Sequence, residues 1–118
     1  MNIQMYIYKR NFDVQKAERY FKERRISYQA VDLKKHKLGR RELELFARGR
    51  GVRALINVGD EAVKSHPIAY TTDQGRMLDY LADMPQFLIS PIIRDGQRVM
   101  VGFDQAEMDR WLSPPAST

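Results

Sequence analysis

Apolar and polar positions alternate from the first residues of the chain. In "IQMYIYK" Ile3, Met5 and Ile7 fall on one side and Tyr6 and Tyr8 on the other, a strand period carried by strand-forming residues. A polar turn follows, in which Asn11 or Asp13 can cap a helix. Along that helix Val14, Ala17, Tyr20 and Phe21 make a buried stripe, while Lys16, Arg19, Lys22 and Glu23 face water. "ISYQAVDL" then returns to strand character. Strand, helix and strand in this order form a βαβ unit, so the two strands should be parallel and joined right-handedly.

The helical period comes back from Arg40 to Ala47, with Leu43, Phe46 and Ala47 inward and Gly49 and Gly51 at the end. "VRALIN" fits one helical turn, and "DEAVKSHPIAY" a loop or broken helix. "TTDQGRMLDYLADMP" predicts a helix that buries Met77, Leu78 and Leu81 and stops before Pro85. "SPIIRDGQRVMVGF" predicts two strands around an Asp95-Gly96 turn. "DQAEMDRWL" opens with a capping box, Asp104 to Glu107, and lays Met108, Trp111 and Leu112 on one face. The tail "SPPAST", residues 113–118, is expected to be disordered. A single α/β domain over residues 1–112 follows. Its small mixed four-stranded sheet (β-α-β, inserted helices, β-β-α) is flanked by helices, which is the thioredoxin plan. Pro91 stands where that plan places a cis-proline.

Composition narrows the chemistry. The chain has 118 residues, of which 43% are hydrophobic, enough for one small core. No apolar run approaches the roughly 20 residues that cross a bilayer, and the N-terminus lacks the features of a signal peptide. Both point to a cytoplasmic protein without a membrane partner. There is no cysteine, which removes disulfides, thiolate zinc sites, iron–sulfur clusters and thiol redox chemistry. His36 and His66 stand in polar, irregular contexts and are expected to be exposed loop imidazoles rather than metal ligands. No cofactor and no metal is expected.

Charge is unevenly distributed. The net charge is +5, yet Lys9 to Arg53 carries fifteen Lys or Arg against six Asp or Glu, and the remainder five against nine. The densest stretch holds Lys34, Lys35, Lys37, Arg40, Arg41, Arg48, Arg50 and Arg53. Such a face suits an acidic protein surface, a phosphate or nucleic acid, or is an ordinary solvated surface. Against nucleic acid stand the missing helix-turn-helix and the few aromatics interleaved with the basic run.

The order of elements, with "FLISPIIRDGQRVMVGF" followed by "DQAEMDRWL", resembles the ArsC/Spx family of thioredoxin-fold proteins. The family includes glutaredoxin-linked arsenate reductases and Spx-type regulators that bind RNA polymerase. The resemblance implies that the nucleophilic cysteine falls on Asn11 and the second cysteine of the Spx-type pair on Val14. It also implies that the anion-holding arginines fall on Asn57, Ser90 and near Phe103. The chemical positions are replaced, while Pro91, Asp95-Gly96 and Gly102 remain. An Asn amide cannot act as a thiolate or form a mixed disulfide. The expectation is therefore a non-catalytic, protein-binding or regulatory module with a basic face. RNA polymerase is one partner the resemblance implies. A reductase or glutathione-linked enzyme with an unusual site is the alternative, and electrostatic nucleic-acid binding is the second. Lys9, Arg10 and Asn11, at the start of the first helix, are candidate residues for a residual anion or partner site.

Overall fold

The computed structural model describes residues 1–113. Strand β1 (Ile3–Ile7) leads through a turn into helix α1 (Phe12–Glu23), and the chain returns as strand β2 (Tyr28–Asp32). β1 and β2 pair in parallel, Ile3 beside Tyr28 and Ile7 beside Asp32. Helices α2 (Arg40–Ala47), α3 (Glu61–Lys64) and α4 (Gln74–Asp83) follow, with single 3-10 turns at Val52–Leu55, Pro67–Ala69 and Pro85–Phe87. Strands β3 (Ile92–Asp95) and β4 (Arg98–Val101) form a hairpin, and helix α5 (Gln105–Leu112) closes the domain. The sheet order is β2-β1-β3-β4, with β3 antiparallel to both its neighbours. This is the thioredoxin-like plan read from the chain.

The alternation of β1 sorts the core into two layers. Ile3 and Met5 pack with Ala17, Tyr20 and Phe21 of α1, Ile93 and Met100 of the hairpin and Met108 of α5. Tyr6 turns to the other face, where Leu43, Phe46, Leu55, Leu78, Leu81 and Ile92 form the larger cluster. There the rings of Tyr6 and Phe46 meet edge to face at 5.1 Å. Burial of these side chains outweighs any single polar contact, at about 1.5–3 kcal/mol for each large apolar residue.

Several local expectations shift in detail. The hairpin turn lies one residue later than Asp95-Gly96, because Asp95 still pairs with Arg98 and the loop is Gly96 and Gln97. Gly96 takes φ 62°, the left-handed region glycine enters without a Cβ clash. The capping box on α5 is half made. Asp104 accepts from Glu107 N–H at 3.2 Å, while its own N–H points at Met100 Sδ, 3.3 Å away. His36 is exposed beside Glu42, but His66 is not the free loop imidazole expected. Its ring packs edge-on against Tyr80 and Phe87, and Nδ1 accepts from Ile68 N–H at 3.0 Å. Of the tail, Ser113 bonds back to Asp109 O through both its N–H and its hydroxyl. The rest of the expected disordered segment lies outside the described residues.

α5 is held to α1 by a polar bond as well as by packing. The Tyr20 hydroxyl donates to Asp109 Oδ1 in a short hydrogen bond. Burial, reinforced by that carboxylate, pushes the Tyr20 phenol up to about 12. The fold therefore favours the neutral phenol. Its contribution is complete below the unfolded value of about 10 and is lost as pH rises towards about 12. The unfolding free energy of wild type minus that of Tyr20→Phe, measured in urea across alkaline pH, should be flat below about 10 and then fall. A difference that persists unchanged through the whole range would show that folding does not raise the phenol pKa.

Candidate functional site

The turn from β1 into α1 is shaped by one side chain. Asn11 sits outside the helix in extended geometry, φ −146° and ψ −175°, and its Oδ1 accepts from Val14 N–H at 2.8 Å. That satisfies one of the amide groups a helix start leaves open. The other end of the same carboxamide, Nδ2, donates to Ser90 O at 2.8 Å. Ser90 is buried, and its Oγ accepts from Tyr8 N–H at 3.1 Å. The Ser90–Pro91 bond is cis. Two hydrogen bonds thus join the β1–α1 turn to the segment entering β3.

A second join lies behind the first. Asp13 Oδ2 accepts from Phe103 N–H at 3.3 Å, and Gly102 N–H donates to Pro91 O at 2.8 Å. Gly102 has φ 79°, and a Cβ there would stand 3.4 Å from Asp13 Oδ2. Backbone geometry and the nearby carboxylate both favour glycine at this position.

In front of Asn11 opens a cleft of about 610 Å³, lined by Tyr8, Lys9, Arg10, Asn11, Asn57, Gly59, Asp60, Gln86, Leu88 and Ser90. A shallower hollow of about 290 Å³ continues over Phe12 and Asp13. Asn57 reaches the cleft because residues 55–57 run antiparallel to 87–89. Asn57 N–H bonds to Phe87 O at 2.8 Å and Ile89 N–H to Leu55 O at 2.9 Å, around an Ile56–Leu88 bridge. Gln86 and Leu88 join the wall for the same reason. No local pattern marks that pairing, because its partners are thirty or more residues apart.

The walls are mostly neutral. Arg10 forms a two-pronged ion pair with Glu18, at 2.8 and 2.5 Å, so its charge is largely offset. Asp60 lines the cleft as Lys9 does, and Asp13 occupies the first turn of α1. Asn57 and Ser90 bring amide and hydroxyl groups. This arrangement can hydrogen-bond a polar chain. It offers no thiolate and little net positive charge for an oxyanion.

The structure brings Lys9, Arg10, Asn11, Asn57 and Ser90 together around the cleft, and Pro91 lies directly behind. Val14 and Phe103 stand apart. Val14 is fully buried on the inner face of α1, and the Phe103 ring packs edge-on against Tyr20 at 5.4 Å.

The basic run does not form one patch at the cleft. Arg40 pairs with Asp79 and Glu44, and Lys37 approaches Asp83 at 3.9 Å. Arg48 bonds to Gln97, Arg50 to Val99 O and Arg53 to Thr71 O. Lys34 lies over the Tyr8 ring at 5.5 Å. Lys35 and Arg41 have no ion-pair partner among the described residues. Also among the described residues, no group of three potential ligands lies close enough to hold a metal, and no helix is long and apolar enough to cross a membrane.

A helix N-terminus set beside a cis-proline segment at the edge of a polar cleft is the layout of a thioredoxin-like protein. Within that class, residues 6–111 match the ArsC family model, and the chain belongs to the ArsC family. Solved structures share the shape over almost its full length. A protein named YFFB has a TM-score of 0.85 at 18% identity, covering 95% of this chain and 100% of its own. An arsenate reductase from Vibrio cholerae scores 0.81 at 15% identity, with 95% and 98% covered. An arsenate reductase (ArsC) related protein from Brucella melitensis scores 0.72 at 21% identity, with 97% of each chain covered. At such identities the likeness establishes the fold alone. No protein of curated function matches the chain.

The double use of the Asn11 amide yields a graded prediction. Asn11→Ala should lower stability by about 1–3 kcal/mol, through loss of the cap and of the bond to Ser90 O. Asn11→Ser keeps a capping oxygen but cannot span to Ser90, and should recover only the cap, about 1 kcal/mol. Urea unfolding of the three proteins tests the order. Full recovery by serine would show that the Ser90 bond contributes nothing.

Proposed function

We propose that this chain is a non-catalytic member of the ArsC family, a regulatory module that binds protein partners and lacks thiol redox chemistry. The observation that carries this reading is Asn11. At the position where the family resemblance puts the nucleophilic cysteine, both ends of a neutral amide are committed to holding the fold. The positions assigned to anion-holding arginines carry Asn57, Ser90 and Phe103, none of them charged. Reduction of arsenate by this route needs a thiolate with a lowered pKa and positive charge around the developing oxyanion.

The cleft that remains, lined with amides and a hydroxyl, suits a polypeptide better than a small oxyanion. An acidic protein surface, met by the basic residues between Lys34 and Arg53 rather than by the cleft, is the proposed partner, with RNA polymerase one instance suggested by the Spx-type resemblance. The reductase alternative draws its support from the printed names of the structural relatives. Nucleic-acid binding through the basic run is supported only by charge, and such binding would weaken steeply with salt.

The deciding experiment is an assay with arsenate, glutathione and glutaredoxin. Wild type should show no turnover above background. Turnover that disappears in Asn11→Ala would overturn the proposal. Asn11→Cys sharpens the test. A thiol on this helix start, beside Lys9 and Arg10, should titrate below the roughly 8.5 of a free cysteine and react readily with a disulfide probe. Arsenate turnover should remain negligible. Efficient reduction by the variant would mean that other residues hold the oxyanion.

A further inference from the structure

The β3–β4 hairpin collects arginines from two parts of the chain. Arg48 Nη1 donates to Gln97 Oε1 at 3.0 Å, Arg50 Nη2 to Val99 O at 2.8 Å and Arg94 Nε to Gly96 O at 2.7 Å. Gly49 and Gly51, with φ of 79° and 86°, turn the chain after α2 and bring Arg50 to the strand edge. The three acceptors lie within residues 96–99, a stretch of about 10 Å even when extended. All three are neutral, so they fix the guanidiniums and leave the charge in place. Each arginine spends one N–H on the hairpin and keeps the others for solvent or a ligand.

The nearby carboxylates are engaged elsewhere. Asp95 and Arg98 are cross-strand partners, and strand alternation puts them on the opposite face from Arg94. There Asp95 is held by Arg98 and by Asn2 N–H, and Arg98 lies over the Trp111 ring. Glu44, one turn before Arg48, pairs with Arg40. Glu42 and Arg94 both lie close enough to act on the Tyr6 phenol. Yet Glu42 accepts from Gly39 N–H at 3.2 Å and faces His36. The carbonyls of Leu45 and Ala47, at the end of α2, are taken by the N–H groups of Arg48, Arg50 and Gly51. Among the described residues, Arg48, Arg50 and Arg94 make no ion pair.

We infer that Arg48, Arg50 and Arg94 form a docking site for a phosphorylated side chain of a partner protein. The gathering of three unpaired guanidiniums at one hairpin carries the choice of ligand. A phosphomonoester brings three acceptor oxygens and a charge of about −1.5 to −2, so it can answer more than one guanidinium at once. A carboxylate carries less charge and is satisfied by a single guanidinium fork. Arg48, Arg50 and Gln97 are exposed and Arg94 is half-buried. That open setting suits a phosphate presented by a partner, whereas a free small molecule needs an enclosing pocket. A nucleic-acid strand fits worse, because residues 48–51 and 94–99 include no aromatic side chain on which a base could stack. The inference rests on the preceding proposal for a protein as the partner, and it locates one part of the surface that meets it.

The probe is a fluorescein-labelled glycine–alanine peptide with one central phosphoserine. The same peptide with glutamate in that place, inorganic phosphate and a single-stranded oligonucleotide of equal length serve for comparison. Amide shifts in the wild-type protein on titration with the phosphopeptide should centre on residues 48–51 and 94–99. The phosphopeptide should bind about fivefold or more tightly than the glutamate peptide. The pair Arg48→Gln with Arg94→Gln should weaken it by about tenfold or more. The pair Lys16→Gln with Arg19→Gln, which makes the same change in net charge elsewhere, should leave the affinity within about twofold at physiological salt. The mapping uses wild-type protein, so it stands even if a variant folds poorly. Shifts centred elsewhere, or a glutamate peptide that binds as tightly, would overturn the inference. So would equal or tighter binding of inorganic phosphate or of the oligonucleotide, equal weakening by both pairs, or no binding at millimolar peptide. None of these outcomes depends on the arsenate assay, so the two proposals can fail separately.

Discussion

The carboxamide of Asn11 joins two parts of the chain 79 residues apart, and the geometry of the cleft depends on that join. A helix start exposes amide groups that need acceptors, and the chain entering β3 exposes a carbonyl that needs a donor. Only a side chain with an acceptor and a donor on one planar group serves both at this distance. An aspartate would cap the helix and repel Ser90 O, and a serine would be too short. The Tyr8 bond to Ser90 and the Asp13 bond to the Phe103 N–H reinforce the same contact from either side. What faces solvent is consequently a turn whose polar groups are largely spent on structure.

This has a bearing on how the fold is used. Thiol chemistry at a helix N-terminus exploits the open amides and the partial positive charge of the helix end. Here one of those amides is bonded to Asn11, and Asp13 on the first turn places a negative charge close to the end of the helix dipole. Arg10 is neutralised by Glu18. The positive charge that would hold an oxyanion is therefore reduced by residues that are good for stability. The same substitutions leave a polar, nearly neutral recess better matched to hydrogen-bonding partners.

The net charge of the chain is likewise redistributed by folding. α2 and α4 pack together, so the cations of one are answered by the acids of the other, as Arg40 is by Asp79. Contacts to backbone carbonyls and to Gln97 fix the direction of Arg48, Arg50 and Arg53 but leave their charge in place. On α1, Lys16 and Arg19 make no ion pair among the described residues, although α5 with Glu107 and Asp109 packs beside that helix.

Short-range patterns were sufficient for most of the architecture. The alternation of Ile3, Met5 and Ile7 against Tyr6 and Tyr8 assigned both faces of β1, because side chains in a strand must alternate. The stripe of Val14, Ala17, Tyr20 and Phe21 did the same for α1, and the Asp-Gly pair located the hairpin to within a residue. The absence of cysteine and the identity of Asn11 were likewise legible without coordinates. Tertiary structure alone decided that residues 55–57 lie against 87–89, bringing Asn57 and Gln86 to Ser90. It also paired Arg10 with Glu18, eight residues on, buried half of His66 between two rings, and left Lys16 and Arg19 unanswered. Each of these depends on contacts between segments whose separation no periodicity encodes. Which charges are satisfied depends on which helices become neighbours, and that follows from burying the two apolar faces of one sheet.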